Sequence, residues 1–312
     1  MIFTMTWPNA DQFAVLVSDI AVSCVVVGAP VFAYLVWRTN SKRLNRRRRL
    51  AVTAVLLLGL ALTVFAAFIE PRRLVVNDYA VDLRGSVSDE SRHLRLVVVS
   101  DTHFGLFKGR SWANGLVARI NSLEPDAVLF VGDLVSSPSG LGDLAAFGDL
   151  KTRLGSYAVL GNWDYHIGAV DVRRKLGSHG VITLVNRSVN LDDLKLVGID
   201  GIIYGNPDWG EALADVGEGD AWITMVHNPD GALWASRFGS GLTIAGHTHG
   251  GQVRLPLVGS VPPLPTRLGR GYDRGLLELG GRPLLITSGA GESSARVRLF
   301  QPPELALLEV IY

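Results

Sequence analysis

Seven side chains that can bind metal ions follow five short apolar runs of this sequence. The runs, with the residues that end them, are LVVVSDTH, AVLFVGD, YAVLGN, WITMVH and LTIAGHTH, and the seven residues are Asp101, His103, Asp133, Asn162, His227, His247 and His249. Carboxylate, carboxamide and imidazole groups without a thiolate suit a hard to borderline divalent ion such as Mn, Fe, Zn, Ni or Co. Seven such groups are too many for one catalytic ion that keeps an open position, but they suit two ions that share a bridging carboxylate.

The elements that position these side chains are predicted to be buried β-strands, because each run is apolar, largely β-branched and bounded by Gly or polar residues. In open α/β sheets a ligand site lies beyond the carboxyl ends of the strands, so five strand ends can deliver the seven residues to one place. Asp101 and His103 are two positions apart, as are His247 and His249. On an extended backbone both members of each pair would project from the same side.

The order of the motifs, D-x-H, G-D, G-N, H and G-H-x-H, resembles the calcineurin-like metallophosphoesterase superfamily. Within it, GHTHGGQ at residues 246–252 and the tail GAGESSARVRLFQPPELALLEV at residues 289–310 resemble the YkuE/YaeI-type membrane-associated branch. The resemblance extends from about Leu94 to the C-terminus. It implies an α/β fold, a four-layer αββα sandwich, with two divalent metal ions as cofactors.

The resemblance also implies a role for each motif residue. One ion would be held by Asp101, His103, Asp133 and His249, and the other by Asp133, Asn162, His227 and His247, with Asp133 as the bridge. The implied reaction is hydrolysis of a phosphate ester or pyrophosphate bond by a hydroxide that the two ions activate, without a covalent enzyme intermediate. Asp133, Asn162 and His247 are thereby also candidate catalytic residues.

The third motif departs from the common form of the family. That form is G-N-H-D/E, in which the His is thought to protonate the leaving group, whereas this chain has GNWDYH with Trp163 in that place. Asp164, the candidate catalytic residue His166 or a metal-bound water could substitute, or the leaving group needs little protonation. His166 could equally be an ordinary loop histidine, and Trp163 could stack on a substrate.

Two long apolar stretches precede the motifs. Residues 13–37 contain Asp19 as their only charge, and residues 50–69 contain none. Each stretch is long enough to cross a hydrocarbon core of about 30 Å. Between them, residues 38–49 (RTNSKRLNRRRR) carry seven basic residues and no acid, so the positive-inside rule places this loop in the cytoplasm and the catalytic domain on the extracytoplasmic side.

The sequence thus predicts a two-pass membrane anchor at residues 1–73 and a metallophosphoesterase domain at residues 74–312. Two alternatives remain open: residues 46–67 as an internal signal sequence, and residues 13–37 as a buried amphipathic helix. In the predicted domain, residues 111–123 are expected to form a helix with Ser111 as its N-cap, and residues 141–150 another helix. Residues 256–270 contain four prolines and are expected to form a long irregular loop.

The charge distribution argues against nucleic acid as a partner. Residues 1–73 carry nine Lys/Arg and three Asp/Glu, which leaves 21 and 26 for the remaining chain, a net charge of −5. A nucleic-acid backbone would call for a basic face. The basic loop instead fits anionic membrane lipids. The single cysteine, Cys24, lies in the first apolar stretch and excludes an intrachain disulfide.

Three functions remain open from the sequence. The leading one is a membrane-anchored phosphoesterase, with a lipid-linked substrate favoured because the anchor would hold the active site near the bilayer. Relatives also include enzymes that hydrolyse the pyrophosphate of UDP-2,3-diacylglucosamine in lipid A synthesis, a cytoplasmic substrate that conflicts with the predicted topology. The third is a catalytically silent metal-binding scaffold, which the absent motif His favours and the complete ligand set opposes. The sequence leaves the oligomeric state open.

Overall fold

The computed structural model describes residues 7–39, 44–84 and 92–312. It begins with helices α1 (Trp7–Arg38) and α2 (Arg46–Val64), and α2 continues through a π-helical turn, Phe65–Ile69, and a 3-10 turn, Glu70–Arg72. Residues 40–43 of the predicted basic loop lie outside the described residues. The Arg49 guanidinium joins the two helices by donating to the carbonyl oxygens of Val36 and Trp37, in the last turn of α1, and of Thr39 just beyond it.

Helices α1 and α2 expose most of their apolar side chains. By length and composition, Phe13–Arg38 and Arg46–Arg72 can each cross a membrane, and only 6% and 11% of their apolar windows are buried. A core helix would instead bury an apolar face against its neighbours, so the alternative of a buried amphipathic helix does not fit. The two helices support membrane association of the chain.

The remainder of the described chain is built from short strands and helices. The strands are β1 (Val75–Asp82), β2 (His93–Val99), β3 (Ala127–Val131), β4 (Ser156–Val159), β5 (Val181–Thr183), β6 (Arg187–Leu191), β7 (Leu194–Gly198), β8 (Trp222–Met225), β9 (Leu242–Ala245), β10 (Arg254–Leu255), β11 (Gly259–Ser260), β12 (Gly275–Leu279), β13 (Arg282–Ile286) and β14 (Glu304–Ile311). The helices are α3 (Arg110–Asn121), α4 (Asn162–Ser178), α5 (Trp209–Ala212) and α6 (Ala232–Phe238), with 3-10 segments at Pro138–Asp149, Pro229–Gly231 and His249–Gly251.

Two six-stranded mixed sheets form the centre of the fold. The first has the order β1-β14-β2-β3-β4-β5 and the second β12-β13-β9-β8-β7-β6. Strands β2 to β5 are mutually parallel, and so are β7, β8, β9 and β13. All five motif strands therefore lie within the parallel parts of the two sheets.

Alternation along the strands divides the core into layers. On β2, Leu96 and Val98 point between the sheets, where they join Leu196 and Met225 of the second sheet. The intervening Val97 packs on the outer side, against the layer of α3 and α4. The second sheet is covered in turn by α5 and α6. The fold is the four-layer αββα sandwich that the sequence predicts.

Three local predictions need correction. Helix α3 begins one residue earlier than expected, with Gly109 rather than Ser111 at the N-cap position and no side-chain cap. Residues 138–149 form a 3-10 helix instead of an α-helix, as suits a segment that holds Pro138 and three glycines with poor α-helix propensity. The expected irregular loop at 256–270 contains β11, which pairs with β10 as a hairpin.

The end of the anchor packs into the αββα domain. Ala66, Ala67 and Glu70 are buried, and the Glu70 carboxylate accepts a hydrogen bond of 2.7 Å from the backbone N–H of Phe300. The N–H of Arg298 donates to Ala66 O at 2.9 Å. The division of the chain at residue 73 stays a prediction, but these contacts join its two sides.

Candidate metal centre

The predicted ligand residues follow the carboxyl ends of five strands, two to four residues beyond β2, β3, β4, β8 and β9. Five of them have left-handed backbone: Asp101 (φ 53°), His103 (46°), Asp133 (53°), His247 (70°) and His249 (53°). The expectation of extended backbone at the two i, i+2 pairs is therefore wrong. A left-handed non-glycine residue costs about 1–3 kcal/mol, and such residues cluster at functional sites.

The first group of ligands consists of Asp101, His103 and His249. The Nε2 atoms of the two imidazoles are 3.1 Å apart. Asp101 Oδ1 lies 3.3 Å from His249 Nε2 and 3.8 Å from His103 Nε2. All three side chains are buried. One small volume thus faces a carboxylate oxygen and two imidazole nitrogens.

The second group consists of Asp133, His227 and His247. His227 Nε2 lies 3.1 Å from Asp133 Oδ2 and 3.1 Å from His247 Nδ1. The same Asp133 Oδ2 lies 3.8 Å from His103 Nε2 of the first group. One carboxylate oxygen therefore stands between the two groups, and His247 and His249 fall in different groups.

The donor set fits a pair of divalent cations. Asp101 Oδ1, Asn162 Oδ1 and His247 Nε2 are buried atoms with no hydrogen-bond partner among the described residues, which is costly for groups that bind nothing. Glycines clear the space around them, since a Cβ at Gly161 would collide with the Asp133 carboxylate and one at Gly246 with Ser100. Oxygen and imidazole ligands in two adjoining groups are a donor set for two ions of borderline hardness.

Comparison with known proteins agrees with this geometry. The model of the calcineurin-like phosphoesterase family matches residues 94–251, about half of the chain. The chain belongs to the calcineurin-like phosphoesterase family. Its match begins within β2 and ends just after His249, so it includes all seven predicted ligands.

Three relatives define the branch of this family member. The uncharacterized metallophosphoesterase Cj0846 of Campylobacter jejuni is 30% identical over 229 residues, which are 70% of this chain but 59% of that protein. The uncharacterized metallophosphoesterase YkuE of Bacillus subtilis is 25% identical over 281 residues, 85% of this chain and 97% of YkuE. The phosphodiesterase YaeI of Escherichia coli is 29% identical over 237 residues, 72% of this chain and 84% of YaeI. The predicted YkuE/YaeI-type branch is confirmed.

Burial and neighbouring charges shift the pKa values of the predicted ligands in this phosphoesterase family member. Burial alone would raise the pKa of Asp101, but the His249 and His103 imidazoles hold that pKa well below its usual range. Burial would lower the pKa of His227, yet the adjacent Asp133 carboxylate raises it to about 10. Burial, with help from His227, lowers the pKa of His247 to about 4, which leaves this imidazole neutral, the state that binds a metal.

Around the atypical third motif, the structure distinguishes the candidates for the missing proton donor. Trp163 is buried, its backbone N–H donates to Asp133 Oδ1 at 2.8 Å, and its indole ring meets the His103 ring edge-on at 5.8 Å between centroids. This contact holds the first turn of α4, which begins at Asn162, against Asp133. His166 packs its ring edge-on against Trp163 and Tyr204.

Backbone N–H groups hold both carboxylate oxygens of Asp164. Its Oδ1 accepts from the N–H groups of Leu134 and Val135 at 2.9 and 3.2 Å, and its Oδ2 accepts from Gly161 N–H at 2.9 Å. Burial and the nearby Asp133 raise the pKa of Asp164 to about 7. The side chain thus fastens the segment after Asp133 to the start of α4.

Sequence reasoning missed the groups that orient the ligands. His227 Nδ1 contacts Val131 O at 2.7 Å, and His103 Nδ1 contacts Ser136 Oγ. Such partners fix the ring orientation and tautomer of a ligating histidine. Arg298 is fully buried and donates to carbonyl groups of residues 288–302, the tail segment whose Gly291 N–H donates to Asp101 O at 2.7 Å. The only sequence signal was the resemblance of this tail to the family branch.

Proposed function

We propose that this protein is a metal-dependent hydrolase that cleaves a phosphate ester or pyrophosphate bond at a centre of two divalent cations. The observation that carries the proposal is the position of Asp133 Oδ2, 3.1 Å from His227 Nε2 and 3.8 Å from His103 Nε2. An oxygen between two groups of ligands is what a bridging carboxylate requires.

The proposed ligand sets follow the two groups. Asp101, His103, Asp133 and His249 would hold one ion, and Asp133, Asn162, His227 and His247 the other. When bound, a cation pair supplies the positive charge that polarises a phosphoryl group and activates water as a nucleophile. The residues of this chain fix the ligand geometry, and burial of the centre strengthens each electrostatic interaction within it.

Protonation of the leaving group is the step in which this chain differs from the common family form. Trp163, in the place of the motif His, carries no titratable group, and Asp164 accepts backbone N–H hydrogen bonds on both carboxylate oxygens. We therefore propose that the natural leaving group is a weak base, such as a phosphate or a phosphate ester. Rates on a series of phosphodiesters should then fall steeply as the basicity of the leaving group rises.

We further propose that the substrate is lipid-linked and that the catalytic domain lies on the extracytoplasmic side. Two helices able to cross a membrane lead directly into the αββα domain, which supports a substrate at the bilayer. The basic residues between the helices support a cytoplasmic loop. A topology reporter fused to the C-terminus should be active only outside the cytoplasm, and activity only inside would overturn this placement.

Hydrolysis of bis-p-nitrophenyl phosphate by the detergent-solubilised full chain tests the catalytic proposal. We expect turnover with Mn²⁺, its loss on chelation, and its recovery when the metal is restored. A silent scaffold would bind metal and show no turnover under any of these conditions. If His166→Ala retains the activity while Asp133→Ala loses it, His166 is not the proton donor.

A further inference from the structure

The hairpin of β10 and β11 exposes an apolar tip. Arg254 pairs with Ser260 and Leu255 with Gly259, and the N–H of Val258 donates to Leu255 O at 3.2 Å to close the turn. The exposed fractions of the side chains are 44% at Leu255, 109% at Leu257 and 63% at Val258. Around Pro256, Leu257 is thus fully exposed, and Leu255 and Val258 leave much of their apolar surface uncovered.

The turn conformation makes the exposed tip still less favourable in free energy when it lies in water. Leu257 has φ 67°, a left-handed conformation that a turn at this position normally gives to Gly or Asn. Because the Leu257 side chain is fully exposed, no packing within the protein offsets its strained backbone. A contiguous exposed apolar patch of this kind marks an interaction surface.

The tip is continuous with the membrane end of α2. Strand β10 is joined to the tail, since Arg254 N–H donates to Leu299 O at 2.9 Å, and the next tail residue, Phe300, donates its N–H to Glu70. Phe300 is 49% exposed, and so are 39% of Phe68 and 48% of Ile69. The exposed apolar surface of the anchor therefore continues across the tail to the hairpin.

Arginines surround the tip. Arg254 forms an ion pair with Asp273, Arg270 donates to Ser260 O, and Arg274 lies on the same face of the hairpin. An apolar tip with a basic rim matches the boundary of a bilayer, where acyl chains accept the apolar side chains and anionic headgroups attract the guanidinium groups.

We propose that the β10–β11 hairpin inserts its tip, Leu255 to Val258, into the interfacial region of the bilayer beside the exit of α2. The ligand turn His249–Gly251 precedes β10 directly, and the Arg254 guanidinium donates to Gly250 O at 3.3 Å. Insertion of the tip thus fixes the rim of the metal centre at the lipid surface. This consequence for the substrate rests on the proposed function, whereas insertion itself requires only membrane association.

Fluorescence quenching by spin-labelled lipid tests the insertion without any assay of catalysis. The full chain would carry Cys24→Ser, since Cys24 is the one native cysteine, and a single new cysteine labelled with the environment-sensitive fluorophore NBD. Leu257→Cys and, as a second site, Val258→Cys place the label on the tip. Val170→Cys is the matched control, because Val170 is 77% exposed on α4, next to the sheet edge opposite β1 and the anchor.

In nanodiscs that contain anionic lipid, we expect blue-shifted emission from the tip labels and strong quenching by lipids with a doxyl group near the headgroup. The control label should show neither effect. Quenching of the tip labels no greater than that of the control would overturn the proposal. A blue shift without doxyl quenching would also overturn it, since the tip would then be covered by protein, such as a second copy of the chain.

Discussion

The two sheets contribute different chemistry to the metal centre. Strand ends of the first sheet supply Asp101, His103, Asp133 and Asn162, and therefore every oxygen ligand that we propose. Strand ends of the second sheet supply only imidazoles, those of His227, His247 and His249. Each ligand group combines residues of both sheets, so neither sheet alone supplies a complete proposed ligand set. The face-to-face packing of the sheets is thus a precondition of the site.

The largest loss of activity is expected from a change at Asp133, whose Oδ2 lies between the two ligand groups. Asp133→Asn should lower kcat/KM for bis-p-nitrophenyl phosphate by more than about 100-fold, because even outer partners of metal ligands typically cost 10- to 100-fold. Metal content, measured by mass spectrometry, should fall in parallel for both ions. Asp126→Asn is the matched control, the same change outside the site, and should retain both ions. Full activity of Asp133→Asn would exclude the bridge.

Removal of an imidazole of the second sheet should affect the binding of only one of the two ions. His249→Ala takes a ligand from the first group only, so we expect the metal content to fall from two ions towards one. His227→Ala should do the same through the second group. If either variant lost both ions while it remained folded, the two groups would be a single cooperative unit and the division between them would be wrong.

Packing between the sheets can be tested apart from packing outside them. Leu196→Ala removes a fully buried side chain between the sheets, and Leu176→Ala removes one on α4 in the outer layer. Both should lower the free energy of unfolding by about 2–5 kcal/mol, as measured by urea titration. Only Leu196→Ala should also weaken metal affinity, since it loosens the contact that brings the two ligand sets together. Equal loss of affinity in both variants would contradict this role.

The smallest change in the free energy of unfolding is expected at the sheet ends opposite the metal centre. There Arg153 donates to Asp126 at 2.8 Å, before β3, and to Asp192 at 2.9 Å, in the turn between β6 and β7. Burial would raise the pKa of Asp126, but hydrogen bonds from Arg95 N–H and Arg153 hold that pKa below its usual value.

A lowered pKa means that the Asp126 carboxylate stabilises the fold above its unfolded-state pKa of about 3.9. This contribution is lost as the pH falls through the folded-state pKa. Asp126→Asn should therefore destabilise the protein by at most about 1 kcal/mol at pH 7, as for other surface ion pairs, and by less at pH 3. Urea titrations at both pH values measure the difference. A penalty that grew on acidification would contradict the assignment.

The sequence predicted which side chains meet at the candidate metal centre better than it predicted the backbone that presents them. Apolar runs identify β2, β3, β4, β8 and β9 because buried parallel strands need continuous hydrophobic residues. By contrast, β6 (RSVNL) has a mixed composition and lies at a sheet edge, so periodicity does not reveal it. The left-handed conformation of residues such as Asp101 and His249 follows from tertiary contacts that no residue type encodes. For the same reason the orienting roles of Asp164 and Arg298 were not predicted.

The junction between anchor and domain has a consequence for what the enzyme can reach. Lys108 Nζ donates to Pro71 O at 2.5 Å and pairs with Glu292 at 3.3 Å, while Arg296 pairs with Asp19 of α1 at 3.2 Å. These contacts on several sides of the junction hold the domain in a fixed orientation relative to the two helices, whereas many anchored enzymes have a flexible linker. If the two helices cross a bilayer as we propose, the folded chain itself sets the height of the proposed metal centre above the lipid.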